Sequence, residues 1–236
     1  MTLPMQSADR LDWPDIAGRL DIEGYALLPG LLSRERAQEL TARLGMGMGG
    51  LRREPLAAGD LGRGDLFYFE DSLPIPLQAW RRDFYRHLAP IANRWNEMLD
   101  VPYRYPAELD EFLQHCREAG QARTLSHLNR LGMADYLALH QRGEGGHVFP
   151  LQVVALLTEA GSDFEGGEFV MTEQRPRMQS RPMVLPLRQG DAAIISTAQR
   201  PVRGGKGYYR VNLKHAISRV RQGVRVGLEL FFHDGP

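Results

Sequence analysis

The stretch GYYRVNLKHAISRVRQGVRVGLELFFHD, residues 207–234, decides the fold. It holds two β-type runs, GYYRVNLKHAIS and VRVGLELFFHD, rich in Val, Leu, Ile and aromatic residues and separated by a short basic turn with a glycine. Working back toward Leu137, the runs VFPLQVVALLTE, EFVMTE, MVLPL and AAIIST repeat the pattern between clusters such as GSDFEGG and RQGD. Six such runs predict antiparallel sheets packed as a sandwich or jelly roll, with a mouth where a ligand can sit.

The half before these runs reads differently. After a strand-like GYALLPGLL (Gly24 to Leu32), Ser33 can cap a helix in which Ala37, Leu40 and Leu44 recur at helical spacing. Trp80, Phe84, Leu88, Ala92, Trp95 and Leu99 form a long apolar stripe interrupted by Pro90. A further helix is expected from Pro106 to Gly120, with Leu109, Phe112, Leu113 and Cys116 on one face. The fold class read from this is α+β in one domain spanning 1–236, with 1–136 mainly helical support and 137–236 the core strands.

Composition narrows the function. Lys plus Arg and Asp plus Glu both number 29, so there is no net charge with which to seek nucleic acid or an acidic membrane. The distribution is uneven, because Arg175 to Arg225 carries twelve basic residues against one acid, Asp191, which suits anion binding or a solvated face. Cys116, the only cysteine, excludes an internal disulfide and a thiolate metal cluster. No run approaches the ~20 apolar residues of a membrane span and the N-terminus lacks signal-peptide patterning, so a cytoplasmic location and no membrane partner are expected.

Chemistry then falls to the seven histidines. His87 and His115 lie on helices, His127 precedes a loop and His233 is near the terminus, and each reads as structural. His140 ends the strand-like DYLALH, and His215 lies late in YYRVNLKH, a whole set of strands away. Facing strands of a jelly roll can bring such residues together, and two neutral imidazoles plus a carboxylate hold Fe(II) with three positions open.

His140, the GGEF of Gly166 to Phe169, the turn RQGDAAII and HAISRVRQGVR resemble the 2-oxoglutarate/Fe(II) oxygenases. The stretches HVFPLQVVALL, FEGGEFVMTEQRPRMQSRPMVLPLRQGDA and YYRVNLKHAISRVRQG, with GYALLPGLLS and LAPIANRWNE, are similar to the bacterial AlkB-related subfamily of nucleic-acid oxygenases. The resemblance implies a double-stranded β-helix with Fe(II) and 2-oxoglutarate as cofactors. His140 matches the first histidine of the family's His-X-Asp/Glu motif and His215 the distal one. Arg225 matches the arginine that grips the far carboxylate of 2-oxoglutarate, a bidentate contact lysine could not reproduce. Asn129 stands where AlkB has an asparagine that helps hold 2-oxoglutarate, although Leu131 replaces a tyrosine two residues on. Ser218, Arg219 and Arg221 can line the same end.

The departure is Arg142, a permanent cation where the resemblance calls for the metal-binding acid. Three arrangements are open. Glu144 moves into the vacant position on its flanking glycines while Arg142 turns outward; the two histidines hold iron with water or halide; or metal binding is lost and the pocket takes an anionic ligand. Arg142 and Glu144 are thus the residues expected to decide catalysis, with His140, His215 and Glu144 as the expected metal set and Arg225 and Asn129 as the cofactor grip. The expected function is oxidation of an organic substrate, a small molecule or alkylated nucleic acid, coupled to decarboxylation of 2-oxoglutarate. The competing reading is an iron-independent barrel that binds an anionic ligand or nucleic acid. The sequence gives no oligomeric state.

Overall fold

A computed structural model describes residues 7–45, 50–70, 73–143 and 145–236. Two sheets face one another, and each pairing within them is antiparallel. The larger has seven strands in the order Tyr25–Leu28, Ala192–Ser196, Leu151–Leu156, Arg225–Leu230, His127–Leu131, Asp65–Phe69 and Leu51–Pro55. The smaller runs Arg181–Leu185, Phe169–Gln174, Gly207–Ile217, Tyr136–His140 and Gly62–Arg63, and Gln199–Gly204 pairs with the outer part of Gly207–Ile217.

The predicted helices are present with shifted ends: Arg34–Gly45, Ile75–Met98 and Leu109–Glu118, preceded by Trp13–Glu23. Ser33 Oγ accepts from the backbone N–H of Arg36 at 3.3 Å, as a helix cap does. Pro90 lies inside the long helix on its exposed side, so the opposite stripe of Trp80, Phe84, Leu88, Ala92 and Trp95 stays fully buried. Cys116 is buried in the same layer, and burial pushes its thiol up.

The segment before residue 137, expected to be mainly helical, carries strands as well as helices. Four strands of the large sheet lie in it, at 25–28, 51–55, 65–69 and 127–131. The run HLNRL is broken by polar and charged residues and falls below the apolar run length of a strand, whereas LFYF at 66–69 meets that length and lies outside the segment in which the strands are read.

The period-two alternation of the large sheet divides the interior in two. Leu128, Val226, Leu228, Leu230, Val153 and Ile194 face outward and pack under the helices. Tyr68, Leu131, Val154, Leu156 and Ile195 face inward and meet Leu137, Met171, Leu213 and Ile217 of the small sheet. Polar residues on this inner face lie in register: Tyr68 opposite His127, His127 opposite Glu229, and Asn129 opposite Gly227.

Candidate metal centre

His140 and His215 are direct partners across the two middle strands of the small sheet, with ring centroids 4.2 Å apart. A shift in register between His215 and Ile217 lets both Leu137 and His140 turn inward, which strict alternation would forbid. His140 Nδ1 lies 3.0 Å from the carbonyl of Ala138, so this nitrogen carries the proton and Nε2 keeps its lone pair. Burial, then the neighbouring His215, depresses the His140 pKa to about 3, and the ring is neutral at ordinary pH. Phe169 stacks on His215 at 5.7 Å and 11°, fixing that ring too.

The carboxylate facing these rings is Glu229, from the strand that begins at Arg225. Ligand atoms of His140, His215 and Glu229 all lie within 4.8 Å of one another, and all three residues are buried. Glu229 Oε2 is 3.5 Å from His215 Nε2, and its Oε1 is 3.6 Å from His127 Nε2. Gln152 Nε2 donates to Oε2 at 3.3 Å and Asn129 Nδ2 to Oε1 at 3.4 Å. Burial alone would raise the Glu229 pKa, but the His127 and His215 contacts outweigh it and hold the group well below the usual carboxylate range.

This donor set suits a divalent cation. His215 Nε2 is buried without a hydrogen bond, and an anionic oxygen and two imidazole nitrogens converge where burial otherwise penalises uncompensated charge. His127 Nδ1 lies 2.8 Å from the Leu125 carbonyl, and its Nε2 faces Glu229 Oε1. His127 therefore begins a buried strand beside the centre, where the sequence had placed it before a loop. Glu229 was missed because it sits within VRVGLELFF, read as one apolar run. Its signal was there in the sequence, since a lone acid in the middle of a buried strand needs a partner of opposite charge.

Arg225 is 2% exposed. Its Nε donates to the Gly167 carbonyl at 2.8 Å and its Nη1 to Asn129 Oδ1 at 3.0 Å, so Asn129 links it to Glu229. No acid among the described residues forms an ion pair with it. Burial lowers its pKa to about 10, against the pull of Glu229, and it stays cationic. Gly167 and Gly227 make the cradle: a Cβ would lie 2.9 Å from Arg225 Cδ at the first and 2.9 Å from Nη1 at the second. The guanidinium lies at the edge of a cavity of about 280 Å³ shared with Phe164, Phe169, Leu185 and Arg221. Ser218 is engaged with Glu168 in a turn, and Arg219 is exposed.

Arg142 does not turn outward. Gln141 anchors the loop by donating to the carbonyls of Ala198 and Leu213, and the Arg142 backbone N–H donates to Thr197 O at 3.4 Å. The half-buried side chain reaches Tyr68, to whose hydroxyl Nη2 donates at 3.4 Å, while Nε is buried without a hydrogen bond. Glu144 lies outside the described residues.

Residues 64–235 match the model of a family described as an oxygenase, catalysing oxidative methylation of damaged DNA. Uncharacterized proteins from two strains of Mycobacterium tuberculosis are each 39% identical over 165 residues, 68% of this chain and 71% of theirs. A 2OG-Fe(II) oxygenase family oxidoreductase from Burkholderia pseudomallei superposes with a TM-score of 0.54 at 16% identity, covering 96% of this chain and 93% of that one. A prolyl-4-hydroxylase from Pseudomonas putida gives 0.52 at 14% identity, covering 94% and 100%. These two likenesses are of fold, and the fold is the jelly roll expected from the strand pattern. No described helix is long and apolar enough to cross a membrane.

Proposed function

The chain belongs to this oxygenase family, and from that premise we propose that it is a 2-oxoglutarate-dependent Fe(II) oxygenase whose metal is held by His140, His215 and Glu229. The observation that carries the reading is the buried carboxylate of Glu229 against the facing histidine pair. Glu229 supplies from the far strand of the barrel the negative charge that Arg142 cannot supply from the histidine loop. Gln152 and Asn129 orient its two oxygens, the role that hydrogen-bonding neighbours play around metal ligands.

Iron held there with 2-oxoglutarate would let dioxygen act as the oxidant of an unactivated C–H bond, one oxygen atom going to the substrate and the other to the succinate left when the keto acid loses CO2. Arg225 is the anchor for the far carboxylate, since a buried guanidinium bonded only to neutral oxygens is incompletely compensated until an anion arrives. Its side chain lies along the strand over Gly227, toward Glu229, so the anchor and the metal ligands share one inner face. The apolar walls of Phe169, Leu156 and Leu185 exclude water from the span between them.

Anaerobic titration with Fe(II) and then 2-oxoglutarate tests this, through the metal-to-ligand charge-transfer band of the ternary complex. The band is expected in the wild type and in Glu144→Gln, and absent in Glu229→Ala. Its absence from the wild type would overturn the proposal. The substrate class follows the family's description as damaged nucleic acid, or a small molecule with an oxidisable C–H bond.

A further inference from the structure

We propose that Arg142, with Tyr68 and His233, forms a subsite for an oxyanion carried by the substrate. The subsite deepens the functional reading above and rests on it only for the charge count given below.

Arg142 is a half-buried cation whose side chain has one hydrogen-bond partner among the described residues, the Tyr68 hydroxyl. Among the described residues no carboxylate lies within ion-pair distance of it. Arg225 apart, the buried arginines Arg81 and Arg200 are paired, with Asp234 at 2.9 Å and with Glu173, as is the half-buried Arg94 with Asp21 at 2.6 Å. The Arg142 Nε–H is a buried donor without an acceptor. A second such donor is on His233. His233 Nδ1 accepts from the Phe149 backbone N–H at 3.3 Å, which places the ring proton on Nε2, and that Nε2 is fully buried without a partner. The Arg142 charge acts on the His233 and His140 rings and on the Tyr68 hydroxyl, to which the guanidinium also donates. Donors without acceptors in a half-buried place are the chemical description of an anion site.

The charges of the complete centre point the same way. Two positive charges on iron and one each on Arg225 and Arg142 face one negative charge on Glu229 and two on 2-oxoglutarate. One positive charge is left over in surroundings where uncompensated charge is costly, and one anionic group on the substrate removes it. Tyr68, His127 and Glu229 stand in one row across three neighbouring strands, and Arg225 enters its strand four residues from Glu229, about 13 Å along it. Arg142, at the Tyr68 end of that row, is thus placed to hold a group other than the keto acid.

The test is calorimetric titration of the full chain with benzoate, inorganic phosphate, a thymidine tetranucleotide and neutral benzamide. It is run once with Fe(II) and 2-oxoglutarate present under anaerobic conditions, and once on metal-free Arg225→Met, where Arg142 is the remaining anion grip. At least one oxyanion is expected to bind in both settings and benzamide in neither. Arg142→Gln is expected to weaken that oxyanion about tenfold or more, with Arg142→Lys intermediate, and to change 2-oxoglutarate affinity less than about twofold. Tyr68→Phe, which keeps the ring, should weaken the same probe by a smaller factor. An Arg142 effect confined to the tetranucleotide assigns the oxyanion to a nucleic-acid phosphate, and one on benzoate or phosphate alone to a small acid. No oxyanion binding to the wild type, or equal binding by Arg142→Gln, overturns the subsite. The metal-free setting gives its answer whether or not iron binds, so failure of the subsite and failure of the iron reading are told apart.

Discussion

Arg200 and Arg225 are buried to the same degree, 1% and 2% exposed, and end in opposite surroundings. Arg200 donates through Nε and Nη2 to Glu173 and gives its remaining hydrogens to the carbonyls of Asp21, Ile22 and Pro201. It ties the Trp13–Glu23 helix to the small sheet, and nothing is left to bind. Arg225 meets only Gly167 O and Asn129 Oδ1, beside a cavity. The same side chain is structural where its acid is in the fold, and on the proposed reading it is functional where a ligand must supply the acid. Arg142 belongs with Arg225 by this criterion.

The largest effect expected from breaking this contrast is at the structural pair. Glu173→Ala leaves Arg200 as an uncompensated buried cation and should cost about 3–5 kcal/mol of stability in urea denaturation. Arg225→Met should leave stability within about 1 kcal/mol of wild type, or raise it, because a costly unpaired charge is removed. The same variant should lose 2-oxoglutarate affinity by roughly a hundredfold or more, read by calorimetry.

Acid separates the two regions more finely. His140 and His233 have folded pKa values of about 3, below the 6.5 of the unfolded chain. The unfolded state therefore binds more protons between these values, and stability of the metal-free protein falls as pH drops below 6.5, by up to about 1.4 kcal/mol per pH unit for each ring. Glu173 and Glu229 are held below 4.5, so their stabilisation is complete above that pH and is lost only as pH falls further, through the folded values. Denaturation between pH 6.5 and 4.5 thus reports His140 and His233, and His233→Gln should remove about half of their slope. The smallest effect is Arg225→Lys, which keeps charge but loses the planar fork, with 2-oxoglutarate binding weakened about tenfold in the same titration.

Much of this was legible in the chain. The strand runs from 148 to 234 set the sheets, and the apolar stripe from Trp80 to Trp95 set the helix that covers them. His140 ends one strand, Arg225 begins another and His215 lies near the end of a third, and all three face the interior between the sheets. Glu229 was hidden by the same pattern that revealed its strand, because alternation in GLELFF is masked when the outward face is also buried under helices. His127 lies on a strand too polar to stand out, and Tyr68 on an apolar run outside the segment in which the strands are read. The inward turn of Arg142 depends on Gln141 bonding two carbonyls more than fifty residues away, which no local rule encodes.

The most direct measurement is the stoichiometry of Fe(II) bound anaerobically by the wild type, Glu229→Ala and Glu144→Gln, with circular dichroism confirming that each is folded. One iron per chain in the wild type and Glu144→Gln, and at least about a hundredfold weaker binding in Glu229→Ala, is the expected result. Undiminished iron binding by Glu229→Ala, with loss in Glu144→Gln, would contradict it and return the third ligand to the histidine loop.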